Sequence, residues 1–268
     1  MVTLEALGVV ALLLVVVVLF SPIGLGGGLV YVPILHYIGG LPFEAAILAS
    51  LGLVFCVAFG SGFAHEKGSM ADKGLVKKAI VTAIPCGIVG ALTSLWVIDE
   101  ISEDWVKLFA LLVSVWILYQ TGKRILKDNE EYPQTSEFNH PIYVTGTGFG
   151  GFACGFLGIG GGGIYVTMNR GWGGLGLREA VGTSFLIAAC VEPIAFSTHL
   201  LAGDSWTVLT DTYGLIGIIS TFCLAVIAAY FSGTLAIKYI PERVIMSTFA
   251  LMITLSLLRY SADLLNLL

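Results

Sequence analysis

Eight apolar stretches, at about 4–38, 44–64, 79–98, 106–122, 141–168, 180–202, 212–237 and 244–258, carry few charges and leave little chain between them. Each is long enough to reach across, or deep into, a ~30 Å hydrocarbon core. Composition agrees: 57% of residues are hydrophobic and 12% charged, about half the charged fraction of a soluble domain. That excludes a water-soluble globule and a disordered tail, and a net charge of −5 excludes a nucleic-acid binder. The expected fold class is an all-α polytopic membrane protein, multi-pass in the plasma membrane, with the lipid bilayer as its solvent.

The stretch from Met1 to Phe20 has no Lys or Arg ahead of it, the first being Lys67. It therefore reads as a retained membrane segment rather than a cleavable signal peptide. Cys56, Cys86, Cys154, Cys190 and Cys223 all fall in apolar runs without a CxxC pair. They suggest neither a disulfide framework nor a zinc site and are expected to be small core residues.

Sliding the chain against itself by 134 residues aligns 24–65 with 158–199 without a gap, and 14 of the 42 positions are identical. The matches include Gly24/Gly158, Gly26/Gly160, Gly27/Gly161, Gly28/Gly162, Tyr31/Tyr165, Ser50/Ser184, Cys56/Cys190 and His65/His199. Duplication of a hydrophobic unit is a mark of many secondary transporters. It divides the chain into a first transmembrane repeat over 1–127, a connecting loop over 128–140 and a second repeat over 141–268, each of about four runs. Positive charge marks the inner side of a membrane. If every run crosses once, the repeats are parallel and 8 of 13 Lys/Arg lie inside. If 4–38 and 141–168 go in and return, the repeats are inverted and 11 of 13 do, leaving Lys107 and Arg259 outside. Inverted repeats with glycine-broken helices or hairpins are the expectation.

The breaks themselves are Gly24-Leu25-Gly26-Gly27-Gly28 before Tyr31-Val32-Pro33, and Gly158-Ile159-Gly160-Gly161-Gly162-Gly163 before Tyr165-Val166-Thr167. Adjacent glycines make a poor helix interior, each costing up to ~1 kcal/mol against Ala. Irregular backbone at membrane depth is tolerated only inside protein or along a watery cavity. A broken helix turns free N–H groups and a dipole end toward an anion. No Lys or Arg stands mid-segment to do so instead. Close packing through small residues is the plainer explanation of one motif; two copies at corresponding positions favour a site. Gly158-x-Gly160-x-x-Gly163 matches a dinucleotide fingerprint but lacks the βαβ context.

A GxGGG-x₄-P segment followed by a small or hydroxyl-bearing stretch, repeated in two four-run halves, resembles the TauE/SafE family of sulfite exporters and organosulfonate permeases. The resemblance spans nearly the whole chain. Ala180-Val181-Gly182-Thr183-Ser184 matches the small-residue run, and Ala46-Ile47-Leu48-Ala49-Ser50 keeps its ends; Thr167 stands where the family often has proline. The resemblance implies transport of small, often sulfur-containing, anions.

Ser50, Thr183 and Ser184 bear hydroxyls able to donate to a sulfonyl oxygen, or else to bond helix to helix. Glu192 sits mid-segment before Pro193, where an ionisable group is a functional candidate by default; it reads as a proton-coupling carboxylate or as one satisfied by Ser197 or Thr198. His65 and His199 end equivalent segments and are gate candidates, or ordinary interfacial residues. His36 and Arg170 follow the two motifs, where they attract anions or merely decorate a loop. Trp105, Trp172 and Trp206 lie near segment ends, as in an aromatic belt.

These residues add up to a secondary transporter of small anions, sulfite or an organosulfonate. It works by alternating access around Gly26, Gly27, Gly28, Ser50, Gly160, Gly161, Gly162, Thr183 and Ser184, with protons a candidate coupling ion and no cofactor or metal. A passive anion channel and a membrane-embedded enzyme are the alternatives. The enzyme is disfavoured, since no HxxxH, HExxH or GxSxG occurs.

Overall fold

The computed structural model describes residues 4–23, 26–67, 70–126, 140–239 and 242–265. Gly24 and Leu25 of the first motif and most of the 128–140 connector lie outside them. Every regular element among the described residues is helical.

Apolar runs without internal water must satisfy their own backbone, so they coil. The first run is broken: α1 (Leu4–Phe20) ends in a 3₁₀ turn (Ser21–Ile23), and the chain restarts as α2 (Gly28–Pro33), which continues as a π-helical turn (Ile34–Ile38). Pro33 lacks an N–H and so cannot close the ordinary i→i−4 bond, and the wider turn follows it directly. Then come α3 (Phe43–Lys67), α4 (Lys73–Glu100) and α5 (Glu103–Leu126). Asp72 starts α4 by accepting hydrogen bonds from the N–H groups of Gly74 and Leu75 at 2.7 and 3.0 Å, a side-chain N-cap. The second broken run is α6 (His140–Leu157) and α7 (Gly162–Gly171), followed by α8 (Leu177–Ala202), α9 (Ser205–Tyr213), α10 (Leu215–Tyr239) and α11 (Glu242–Leu264).

Among the described residues, four helices are long and apolar enough to cross a membrane: α3, α4, α8 and α10. Burial separates their roles. Of the apolar window, 83% is buried in α3 and 22% in α10, so α3 is the central post and α10 an outer wall. α3 packs against α8, α10 and α2; α4 packs against α6 and α8; α5 pairs with α11. Val81, Leu92 and Trp96 of α4, Leu112 of α5 and Ile227 and Phe231 of α10 point outward, an apolar exterior suited to lipid.

Two expectations need adjusting. The short link between the apolar runs ending at 202 and starting at 212, which holds Asp204 and Asp211, contains the helix α9. Cys56 and Cys154 are buried, but Cys223 is exposed on α10.

Candidate functional site

The two glycine breaks meet each other. A Cβ on Gly28 would lie 2.5 Å from the backbone of Ile159, and one on Gly26 would lie 2.6 Å from Cγ1 of Val54. Val54, on the central helix α3, also packs against Gly160. One turn earlier on α3, Ser50 donates a hydrogen bond to the Gly158 carbonyl at 2.7 Å. The middle of α3 thus touches both breaks.

Each break turns through left-handed glycines. Gly27 (φ 81°) and Gly161 (φ 56°) stand at the N-terminal ends of α2 and α7, a conformation other residues adopt only at a cost. Tyr31 and Tyr165, each four residues on, fold back over them. A Cβ on Gly27 would be 2.8 Å from the Tyr31 hydroxyl oxygen, and one on Gly161 would be 2.9 Å from Cζ of Tyr165. Beyond Gly161 the first N–H groups of α7 have no carbonyl a turn behind them. A void of about 10 Å³, near the size of one water, lies beside them among Leu29, Ile117 and Ile159.

Glu192 of α8 reaches the same place, with Oε1 2.7 Å from where a Gly160 Cβ would sit. It is fully buried, and neither carboxyl oxygen has a hydrogen-bond partner. Ser197 and Thr198, its candidate partners, instead donate to the carbonyls of Pro193 and Ile194 in their own helix. The hydroxyls of Tyr31 and Tyr165 are likewise buried and unpartnered. Four unsatisfied polar atoms therefore crowd around the two breaks, close enough for both tyrosines to feel the Glu192 charge.

The remaining candidates make the following contacts. The Thr183 hydroxyl accepts the Asp72 N–H at 2.9 Å, tying α8 to the entrance of α4. Ser184 donates to the Val181 carbonyl at 2.7 Å. His65 is buried, its Nδ1 donating to the Ser61 carbonyl at 2.8 Å and its ring beside Phe185. His199, also buried, donates from Nε2 to the Gly155 carbonyl at 2.8 Å, which leaves Nδ1 without a partner. It shares the Glu192 face of α8, seven residues and about two turns away. Sequence reasoning missed the tyrosines as site residues; their identity at equivalent positions was the available signal.

No curated protein and no solved structure matches the chain. The family profile described as "Sulfite exporter TauE/SafE" matches residues 9–260 of the 268. The chain belongs to the TauE/SafE sulfite exporter family, which makes it a membrane transporter of sulfur compounds.

Proposed function

We propose that this chain is a multi-pass plasma-membrane secondary transporter that carries small sulfur-containing anions, sulfite or an organosulfonate, by alternating access around the two glycine breaks, with a proton held on Glu192. The halves, 1–127 and 141–268 joined by 128–140, form inverted repeats in this reading. Helix packing supports a two-fold exchange of the halves. α3 packs on α10 as α8 does on α4, and α2 packs on α3 as α7 does on α8. α3 with α8 and α5 with α11 pair elements with their own counterparts.

The observation that carries the reading is the Glu192 carboxyl, sealed from solvent against the second break with no lysine or arginine among the described residues bearing on it. Two negative charges about 4 Å apart repel by about 4 kcal/mol at an effective dielectric of about 20. An anion and an ionised Glu192 therefore do not share the site. The anion enters with Glu192 protonated, and the proton travels with it. Among the described residues, the titratable groups of other helices within electrostatic reach of Glu192 are Tyr31 of α2, Cys56 of α3, Cys154 of α6 and Tyr165 of α7. Those side chains are ordinarily neutral at about pH 7, so they leave the proton-carrying role to the carboxylate. Full burial of the cluster supports a carrier over an open pore.

Methanesulfonate is a suitable probe because its charge is constant over the working pH range. In proteoliposomes we expect saturable uptake that accelerates when the substrate side is acidified, because the anion enters together with a proton. Glu192→Gln is expected to lose both the pH response and uphill accumulation. Wild-type uptake indifferent to the gradient would remove Glu192 from coupling. Absence of saturable flux for every sulfur oxyanion tried would remove the substrate assignment.

A further inference from the structure

Three other buried or half-buried tyrosines have found partners. Tyr143 donates to Oδ1 of Asn169 at 2.8 Å, Tyr37 to Asp263 at 3.0 Å, and Tyr213 to the Gly39 carbonyl at 3.4 Å. Tyr31 and Tyr165 are different. Both are wholly buried, both hydroxyls lack a partner, and both lie over the left-handed glycine of their own break. A buried hydroxyl without a partner destabilises the fold that holds it, and phenylalanine would fill the same space without that cost. The penalty occurs twice, at positions related by the internal duplication, and both hydroxyls lie within electrostatic reach of the unpartnered Glu192 carboxyl.

We infer that Tyr31 and Tyr165 are the substrate's side-chain hydrogen-bond donors, one from each half, and that they select small anions whose oxygens all accept. This deepens the transport reading above and rests on it. With Glu192 protonated, the described side chains around the breaks offer neutral O–H and S–H donors, and among the described residues no lysine or arginine bears on the carboxyl. Sulfite and methanesulfonate fit such a donor set. A zwitterion such as taurine fits less well, because its ammonium group meets only neutral acceptors and no carboxylate once the carboxyl holds its proton. Val54, wedged against Gly26 and Gly160, limits the guest to a compact head with at most a short tail. The site works by neutral donors alone, so an anion is held through hydrogen bonds that strengthen on an ionised acceptor.

The test compares wild type, Tyr31→Phe, Tyr165→Phe, the double variant and Tyr143→Phe in proteoliposomes, with methanesulfonate as substrate and taurine as competitor. Each single change at a break is expected to raise KM about ten-fold, the loss typical of a hydrogen bond to a charged group. The double change raises it further, while the thermal midpoint is unchanged or higher because a buried orphan is gone. Tyr143→Phe should do the reverse, lowering the midpoint and leaving KM alone. Taurine should compete weakly with wild type. KM values within two-fold of wild type in both single variants, or taurine competing as well as methanesulfonate, would overturn the inference. A second readout separates it from the transport reading: thermal stabilisation of the purified protein by methanesulfonate, sulfite, sulfate or nitrate. Stabilisation of wild type but not of the double variant, without any flux, sustains the tyrosine site and overturns the transporter. Stabilisation equal in both, or in neither, overturns the tyrosine site.

Discussion

At Gly27 and Gly161 the left-handed backbone and the tyrosine ring above it forbid a side chain twice over. An alanine there costs about 1–2 kcal/mol in conformation alone and displaces the ring as well. Gly27→Ala and Gly161→Ala are therefore expected to lower the thermal midpoint of the purified protein by several degrees; unchanged midpoints would show that these turns are relaxed. Glycine variants are consequently poor probes of transport, since a lost fold and a lost site look alike. Glu192 and the glycines stood out in the sequence because a carboxylate and a helix breaker are both expensive inside an apolar run. Hydrogen-bond partners are not written there. Ser50 bonds to the second break and Thr183 to the Asp72 N–H, yet the two read alike as hydroxyls in corresponding small-residue stretches.

Between elements, the closest approach is α4 against α6. A Cβ on Gly151 would run into the Ala83 carbonyl, and one on Gly155 into that of Gly87. This is packing through small residues, the plain explanation considered for the glycine motifs, and it applies to this pair. Gly151→Val should prevent accumulation of folded protein, as judged by size-exclusion profile in detergent; a normal profile would mean that the pair tolerates separation. Gly8 in α1 is the control, with nothing within 4 Å of a Cβ. Gly8→Ala should raise stability by about 0.5–1 kcal/mol, read as an upward shift in midpoint. The broken runs were legible because consecutive glycines cannot continue a helix. α9 was not, because its nine residues carry Asp211 between Thr210 and Thr212, a polar stretch that reads like a loop.

Across the whole molecule, α5 and α11 join the two halves through a charged clasp. Lys107, nearly buried on α5, reaches Glu103 at 2.7 Å and Asp263 at 2.6 Å. Beyond the apolar part of α11, Asp263 also accepts from Tyr37. Burial alone would raise its proton affinity, but hydrogen bonds from Lys107 and Tyr37 outweigh it and hold the carboxyl below its usual range. A depressed carboxylate stabilises the fold above its unfolded pKa of about 3.9, and that stability is lost as pH falls through the lower folded value. Lys107→Met should lower the neutral-pH midpoint and flatten its fall below about pH 4; an unaltered acid limb would place the clasp outside the stability balance. Under the inverted arrangement Lys107 and Arg259 are the two outer cations. Lys107 is paired with carboxylates, and the Arg259 guanidinium lies 4.3 Å over the Tyr37 ring. Charge bias made that topology legible, but which helices face one another depends on contacts across more than a hundred residues, which no local pattern records. The central claim is that anion and proton move together through one neutral site. Its most direct measurement is methanesulfonate uptake followed alongside lumenal pH in liposomes without an imposed gradient. The account predicts lumenal acidification in step with anion entry for wild type and none for Glu192→Gln; anion entry with a constant lumenal pH in wild type would contradict it.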